Sequence, residues 1–351
     1  MEKATKKQVR QDEIVRFFAE NPNHTSSDVW KGLDREYGIA TIKRDLSELT
    51  DKGILIREGS SVGTTYFVNP LSRLFIPYSI SMYFLDEVDK RTIHERFDID
   101  LIRTIVDVES LFTNKEMESL EALQKKFTQK LNDKSDTLKK KNFETLAIDL
   151  IWKSSQIEGN TYSLLETETL VKESKEAMGK SREEAIMILN HKKAIDYIME
   201  RPNDITPIRR LKIERLHELL IQDLGVERGL RNGLVRITGT NYRPLENMFQ
   251  IEEAIDAMCD AINARKNVFE KALLAVLFIS YIQPFEDGNK RTARIVSNAL
   301  LMSKGYCPIS YKTVESENYK KAVLLFYEQN SIIAFKEIFI EQFDYAVNNY
   351  F

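Results

Sequence analysis

The stretch that decides the fold is QPFEDGNKRTAR, residues 283–294. An apolar segment with helical periodicity, residues 273–282, precedes it. A second such segment, residues 295–301, follows it and ends near Gly305. This pattern predicts a loop between two helices, with the second half of the quoted stretch beginning the later helix.

The loop has the chemistry of an anion site. A helix start presents unpaired N–H groups and the positive end of the helix dipole, so Gly288, Asn289 and Lys290 are expected to cradle a phosphate. Arg291 and Arg294 follow within the same helix start and add positive charge. Phosphate is therefore the expected guest.

Asp287 stands at the rim of this loop and offers a hard oxygen ligand suited to Mg²⁺, which accompanies polyphosphates and needs few protein ligands. An Asp-Gly-Asn sequence alone also fits a plain tight turn, with the nearby arginines paired to surface carboxylates. The full twelve residues, with Pro284 and Phe285 before the turn and two arginines after it, are more specific. They favour a site for phosphate and Mg²⁺.

Residues 283–294 resemble the Fic motif, His-Pro-Phe-x-(Asp/Glu)-Gly-Asn-(Gly/Lys)-Arg-x-x-Arg, at every defining position except the first, which is Gln283 here. The resemblance implies ATP binding, with Mg²⁺ held on the α- and β-phosphates by Asp287. It implies that Asn289, Arg291 and neighbouring amides stabilise phosphate charge and that Arg294 orients the γ-phosphate. In the family, the histidine takes the proton of a protein Ser, Thr or Tyr hydroxyl, which attacks the α-phosphate and expels pyrophosphate.

A second motif lies well before the first. SSQIEGN, residues 154–160, is similar to the family's inhibitory segment, (Ser/Thr)-x-x-x-Glu-(Gly/Asn). By this resemblance Ser154 and Glu158 are inhibitory residues, and Glu158 competes with the γ-phosphate for Arg294 through a charge-assisted hydrogen bond. Taken alone, a glutamate followed by Gly159 is also ordinary capping of a helix end. The two motifs together imply an autoinhibited nucleotide site.

A short β-hairpin is predicted at residues 234–242, between helical segments and closed by Pro244. It resembles the family's flap, which lines up an extended target segment by strand addition, although a purely structural hairpin is the alternative. The flap candidates are Ile237, Thr238, Gly239, Thr240 and Tyr242.

Tyr319 lies where the family places an aromatic residue near adenine, and a core tyrosine at helical spacing is the alternative reading. Gln283 has a clearer consequence, because an imidazole accepts a proton near neutral pH and a carboxamide does not. Loss of a positioned base lowers a rate by about 10² to 10⁴. No other histidine is adjacent to the motif in sequence, and His217 is expected to be a packing residue. We therefore expect nucleotide binding to survive better than catalysis.

The amino-terminal region predicts a winged helix. Three short helical segments precede two β-like segments, residues 54–57 and 65–68. The third helix carries Lys43 and Arg44, which suit contact with DNA. Residues 1–70 hold 11 basic and 11 acidic side chains, so docking to a protein is an equal alternative.

The fold class is therefore expected to be mainly α: a Fic-fold helical core with a β-hairpin flap and an amino-terminal winged helix. The expected divisions are a winged helix at 1–70, a helical linker region at 71–142, and a Fic domain with its inhibitory helix and carboxy-terminal helices at 143–351. The oligomeric state is open, and a homodimer is one alternative.

Composition excludes some classes of protein. With 51 Lys+Arg against 54 Asp+Glu, no single-sign field marks the chain as a nucleic-acid coat or a membrane-surface binder. Cys259 and Cys307 lie in apolar surroundings without metal-type spacing and are expected to be core thiols. No apolar run is long enough to span a bilayer, and we expect a soluble, cytoplasmic protein.

Three functions stay open at this point. The first is an autoinhibited AMP transferase impaired by Gln283. The second is a non-catalytic, nucleotide-binding regulator that acts through a winged helix on DNA or protein. The third is removal of AMP, or transfer of another phosphate-containing group.

Overall fold

The computed structural model describes residues 6–60 and 63–351. Residues 1–5 and 61–62, which belong to the predicted winged helix, lie outside the described residues. The chain divides into two compact units. The first runs to His94 and includes Leu325–Ala334, and the second comprises Glu95–Leu324 and Phe335–Phe351.

The first unit has helices around a small sheet. Its main elements, in chain order, are α1 (Lys6–Glu20), β1 (His24–Thr25), α2 (Ser26–Gly32), α3 (Ile39–Asp51), β2 (Leu55–Glu58) and β3 (Thr65–Val68). The short helices α4 (Pro70–Arg73) and α5 (Ile80–Tyr83) and a 3₁₀ turn (Val88–Lys90) follow. The sheet is antiparallel in the order β1-β3-β2, with Leu55 opposite Val68.

Apolar residues of all three main helices and of the sheet pack together in one core. Phe18, Val29 and Leu46 are buried there together with Leu55 and Val68. The described residues up to position 70 thus follow the helix and strand order that a winged helix requires, and the assignment to that fold stays a prediction.

Capping explains two boundaries of these helices. Thr25 caps α2 in a capping box with Asp28. Gly53, with φ +70°, follows the end of α3.

The second unit is helical. Its helices are α6 (Ile99–Thr104), α7 (Asn114–Asn132), α8 (Asp136–Ile157), α9 (Leu164–Glu173), α10 (Arg182–Glu200), α11 (Arg210–Ile221), α12 (Met248–Ala264), α13 (Val268–Ile282) and α14 (Asn289–Met302). Two 3₁₀ turns, Ile105–Asp107 and Pro202–Ile205, lie between them. Helices α15 (Ser316–Gln329) and α16 (Ile333–Asn349) contribute residues to both units.

The core of the second unit is built on α13 and α14, which pack along each other. From Ala272 to Ile282 every residue of α13 is buried, because this helix is apolar on all faces. Helix α14 also packs against α8, α10 and α11. The loop between α13 and α14 is therefore fixed at both ends by the core.

The predicted hairpin at 234–242 does not form paired strands. All residues of this segment are described; Thr238 and Gly239 form the predicted turn, but no ladder joins its flanks. The ends are fastened elsewhere: the Tyr242 hydroxyl donates to Tyr281 O at 2.8 Å, and the Gly233 amide donates to Glu246 O at 2.8 Å. Contacts with the helical core set the path of this loop.

Two composition-based predictions also meet the structure. Cys259 and Cys307 are both buried free thiols, which confirms their reading as core residues. Among the described residues, no helix has the length and apolar character needed to cross a membrane.

Candidate functional site

The loop between α13 and α14 is closed by its own side chains. Gln283 ends α13 in the left-handed region with φ +50°, and Gly288, with φ +79°, begins α14. Asn289 binds back across the loop: its Oδ1 accepts from the Phe285 amide at 2.9 Å, and its Nδ2 donates to Phe285 O at 2.8 Å. The positive φ at Gly288 favours glycine, and the first amides of α14, which follow it, have no partner within the helix.

The first motif arginine is buried behind this loop. Arg291 Nη2 donates to Asp287 Oδ2 at 2.7 Å. Its Nη1 is buried and has no hydrogen-bond partner among the described residues. The Asp287 side chain, by contrast, is 67% exposed. The unused donor of the buried guanidinium suits a guest that carries negative charge, whereas the exposed carboxylate suits a cation.

The second motif arginine joins the two sequence motifs. Arg294 is fully buried, and its Nε donates to Ser154 Oγ at 2.8 Å. Its Nη2 donates to Ser154 O at 3.0 Å and to Glu158 Oε1 at 2.8 Å. Residues 136 or more positions apart in sequence therefore meet at one guanidinium, as the resemblance implied.

Glu158 is held in its ionised form. It caps the C-terminus of α8, and its side chain is 18% exposed. Burial alone would raise its pKa, but the charges of Arg294 and then Lys290 outweigh burial and lower the pKa to about 2. Lys290 Nζ donates to Glu158 Oε2 at the longer distance of 3.4 Å. The carboxylate is thus shared between two cations of α14.

His217 on α11 contacts the loop between α13 and α14. Its ring stacks on Phe285, with centroids 3.7 Å apart, and its Nε2 lies 2.9 Å from Asp287 O, to which it donates. Burial chiefly lowers its pKa to about 4, so the ring is neutral at physiological pH. His217 is a packing residue, as predicted, but the apolar helix around it gave no signal of the loop that it contacts.

Arg231 is a site residue that the sequence reasoning missed. Its Nε donates to Gln283 O at 2.5 Å, its amide donates to Pro284 O at 3.0 Å, and its guanidinium also donates to Gly233 O. It therefore fastens the start of the motif loop to the segment that leads into residues 234–242. A lone arginine in a loop has no spacing pattern that would reveal this contact.

Gln283 itself is turned toward the core. Its Nε2 donates to Ser280 O at 2.6 Å, and the residue is buried. Tyr319 is also buried; Arg294 lies 5.2 Å from the centre of its ring, and Tyr311 and Phe335 pack edge-on against it. In the described chain Tyr319 supports Arg294, and its place near adenine stays a prediction.

The remaining predicted residues do not join this cluster. Thr238 and Gly239 are exposed at the turn of the flap segment, Ile237 and Thr240 are half-buried, and Tyr242 is buried on Tyr281. Lys43 and Arg44 are exposed on α3 and belong to the other compact unit.

The oxygen ligands near the motif loop suit a Mg²⁺ ion that takes few ligands from the protein. Among residues 6–60 and 63–351, no group of three or more His, Cys, Asp or Glu side chains is placed to hold a metal ion by itself. Asp287 is the carboxylate at the mouth of the cradle, and Mg²⁺ with polyphosphates commonly takes only one or two protein carboxylates. Asp287 therefore fits an ion held mainly by phosphate oxygens and water.

Comparison with known proteins agrees with this geometry. Residues 207–301 match the model of the Fic/DOC family. The chain is 29% identical over 177 residues to a protein adenylyltransferase Fic from Nematostella vectensis, covering 48% of this chain and 40% of that protein. It is 25% identical over 169 residues to protein adenylyltransferase fic-1 from Caenorhabditis elegans, covering 45% and 32%. The chain thus spans well under half the length of these curated relatives.

Solved structures show the same fold. Fic-1 of C. elegans superposes with a TM-score of 0.55 at 20% identity, over 67% of this chain and 70% of that one. A Fic-domain-containing signaling protein from Bacteroides thetaiotaomicron gives a TM-score of 0.55 at 20% identity, over 66% and 94%. The fold over 67% of the chain is that of the solved Fic-1 structure, and residues 207–301 match the model of the Fic/DOC family.

Proposed function

We propose that this chain is a Fic-type protein adenylyltransferase, which moves AMP from ATP to a protein Ser, Thr or Tyr hydroxyl, and that it is autoinhibited by Glu158 and impaired by Gln283. The observation that carries the proposal is the contact of Arg294 Nη2 with Glu158 Oε1, 2.8 Å long, at the start of α14. Arg294 is the motif residue that should receive the γ-phosphate. A carboxylate on that guanidinium occupies the place of an anionic guest.

The binding half of the proposed reaction follows from the residues around Gly288. The first amides of α14 point at the phosphates and offer the positive end of the helix dipole. Arg291, with its unused buried Nη1, adds charge from behind. Asp287 would hold Mg²⁺, which when bound neutralises phosphate charge and favours departure of pyrophosphate.

In the transfer step, one bond to the α-phosphorus forms and one bond to it breaks. The oxygen of the target hydroxyl bonds to the α-phosphorus, the bond from that phosphorus to the bridging oxygen of the β-phosphate breaks, and pyrophosphate leaves. The hydroxyl proton must be taken up by a base. A carboxamide cannot accept it, so in this chain the proton goes to solvent and the step is slow.

Residues 234–242 are suited to align the target. The turn at Thr238 and Gly239 is exposed, so an extended peptide can lie beside it. Arg231 Nε donates to Gln283 O, and this link between the segment and the motif loop supports a target hydroxyl held beside the reacting phosphate.

Calorimetric titration with ATP and Mg²⁺ tests the proposal. Because Gln283 slows turnover, binding can be measured without consumption of ATP. Glu158→Gly should bind ATP more tightly than the unchanged chain by about tenfold to a hundredfold, the value of a charge-assisted hydrogen bond. Glu158→Gln, which removes the charge but keeps the side chain, is the matched control and should lie between the two. Equal, weak binding by all three chains would overturn the proposal.

A second candidate function is a nucleotide-binding regulator that acts through the first unit. Two observations favour it: Gln283 has no base function, and the acidic residues of α3 are largely engaged elsewhere. Asp45 is buried, with Arg10 Nε 2.5 Å from its Oδ2, so it does not oppose the exposed Lys43 and Arg44. The outer face of α3 is thus more basic than its composition indicates.

DNA binding by this face would be salt-dependent, because basic side chains release counterions from phosphates. A shift of DNA mobility that is lost in Lys43→Ala with Arg44→Ala, and kept in Lys125→Ala with Lys126→Ala, would support the regulator. No shift at low salt would leave docking to a protein as the role of the unit.

A further inference from the structure

Helix α10 places a buried histidine directly behind the inhibitory segment. His191 is fully buried, and its Nε2 lies 2.9 Å from Ser154 Oγ. Its Nδ1 lies 3.2 Å from Met187 O and 3.4 Å from Ser155 Oγ. Ser154 Oγ also accepts the hydrogen bond from Arg294 Nε, so His191 and Arg294 contact the same serine oxygen.

The hydrogen-bond pattern assigns the direction of each bond. Arg294 Nε can only donate, so Ser154 Oγ accepts from it and must direct its own hydrogen elsewhere. His191 Nε2 is the acceptor in reach at 2.9 Å. Nε2 is then unprotonated, and Nδ1 carries the hydrogen that it donates to Met187 O. The result is one continuous relay from Arg294 through Ser154 and His191 to the backbone of α10.

The charge state of His191 agrees with this relay. Burial chiefly lowers its pKa to about 3, and the nearby charges of Arg291 and Arg294 lower it further. The ring is therefore neutral over the physiological range and keeps Nε2 as an acceptor. Ser154 is fully buried with its oxygen engaged by Arg294, which excludes it as a nucleophile paired to His191.

We propose that His191 is a positioning residue for autoinhibition: by accepting the Ser154 hydroxyl hydrogen, it aims Ser154 Oγ at Arg294 and keeps the end of α8 docked on the guanidinium. The inference rests on the proposed nucleotide site and its inhibition by Glu158. Without this acceptor, a buried hydroxyl is left unsatisfied or must rotate, and it no longer presents its oxygen steadily to Arg294. The inhibitory end of α8 is then displaced more easily by a phosphate.

The inference predicts an increase in affinity, which a merely structural role would not give. Loss of one buried hydrogen bond corresponds to about a twofold to tenfold change in an equilibrium constant, so His191→Leu should bind ATP with Mg²⁺ more tightly by about that factor. His191→Gln should stay near the unchanged chain, because its amide can accept from Ser154 and donate to Met187 O. In a chain that already carries Glu158→Gly, His191→Leu should add no further tightening.

Calorimetric titration of the full chain with ATP and Mg²⁺ separates the outcomes, with circular dichroism as a check of folding. Weaker or unchanged ATP binding by His191→Leu, while Glu158→Gly binds more tightly, would overturn the role of His191 and leave the proposed function standing. No tightening in Glu158→Gly itself would overturn the proposed function. If His191→Leu does not fold, Ser154→Ala removes the same hydroxyl from the other side, and its failure to tighten ATP binding would contradict the relay.

Discussion

Gly288 separates two halves of the motif loop that are equipped very differently. After it, Arg291 and Arg294 are buried at the start of α14, and each is hydrogen-bonded in place. Before it, the position where the family has its histidine is Gln283, whose amide donates to Ser280 O. The half that we propose to bind phosphate has both motif arginines held in place, whereas the half that we propose to move a proton has a carboxamide in place of a base.

If the proposed function holds, this difference separates nucleotide binding from proton transfer within one loop. The groups that we propose to hold a nucleotide are backbone amides and buried cations, and Gln283 does not replace any of them. The contact of Glu158 with Arg294, which we propose to be inhibitory, is present although the loop has no histidine base, and an inhibitor has an effect only where a guest can bind. This combination favours a protein in which nucleotide occupancy itself has a consequence.

Restoring the base should have the largest effect. In a chain that carries Glu158→Gly, the further change Gln283→His should raise labelling of protein by labelled ATP by about 10² to 10⁴, the usual contribution of a positioned base. Gln283→Asn in the same background is the matched control and should leave labelling low. If labelling stays absent with target proteins present, the first half of the loop does not perform this chemistry. The proposed division of the loop into a binding half and a proton-transfer half would then be wrong.

Removing the central cation should have the next largest effect. Arg294→Met leaves Glu158 and Ser154 O without their buried partner, so the free energy of unfolding should fall by about 3 kcal/mol. Arg291→Met should cost less, because its partner Asp287 is exposed and water can replace the lost bond. Thermal and denaturant unfolding of both variants measure this. Equal losses would mean that the pairing of Arg294 with Glu158 has no special part in stability.

The sequence predicted local structure better than long-range partners. The helices on either side of 283–294 and the strand Thr65–Val68 follow from periodicity, turn residues and β-branched side chains, which act over a few positions. The pairing of Glu158 with Arg294 was predicted only by resemblance to a family, because nothing in local sequence connects positions so far apart. His191 and Arg231 were missed for the same reason: a single polar residue does not name its partner.

The flap segment shows the opposite limit. Extended residues around Thr238 and Gly239 predicted a hairpin, but strand pairing depends on what the tertiary structure offers to each backbone group. Here the Gly233 amide donates to Glu246 O, and the Tyr242 side-chain hydroxyl donates to Tyr281 O. The turn was local and was predicted correctly, and the pairing was tertiary and was not.

Acid should reduce the contribution of Glu158 to the free energy of unfolding within a defined pH range. The pKa of Glu158 is lowered to about 2 in the folded chain, so its contribution to stability is present above its ordinary value of 4.5 and is lost as the pH falls toward 2. The difference in unfolding free energy between the unchanged chain and Glu158→Gln should therefore shrink over that range, by up to about 3 kcal/mol. Burial, which is the main cause of the lowered pKa values of His191 and His217, is the same in both chains, so most of that contribution cancels. A difference that does not change between pH 5 and 2.5 would mean that Glu158 is not held as an ion by Arg294.

The smallest expected effect concerns the second cation on Glu158. Lys290 Nζ is 3.4 Å from Glu158 Oε2, and its side chain is 27% exposed, whereas Arg294 is fully buried and bonds at 2.8 Å. Partly exposed ion pairs contribute about 0.2 to 1 kcal/mol, so Lys290→Gln should lower the free energy of unfolding by less than 1 kcal/mol. Lys172→Gln, which breaks the exposed pair with Glu168 far from the motif in sequence, is the matched control and should give a change of similar size. A loss from Lys290→Gln as large as that from Arg294→Met would show that Glu158 is clamped equally by both cations. Inhibition would then be a property of the whole cradle instead of one buried guanidinium.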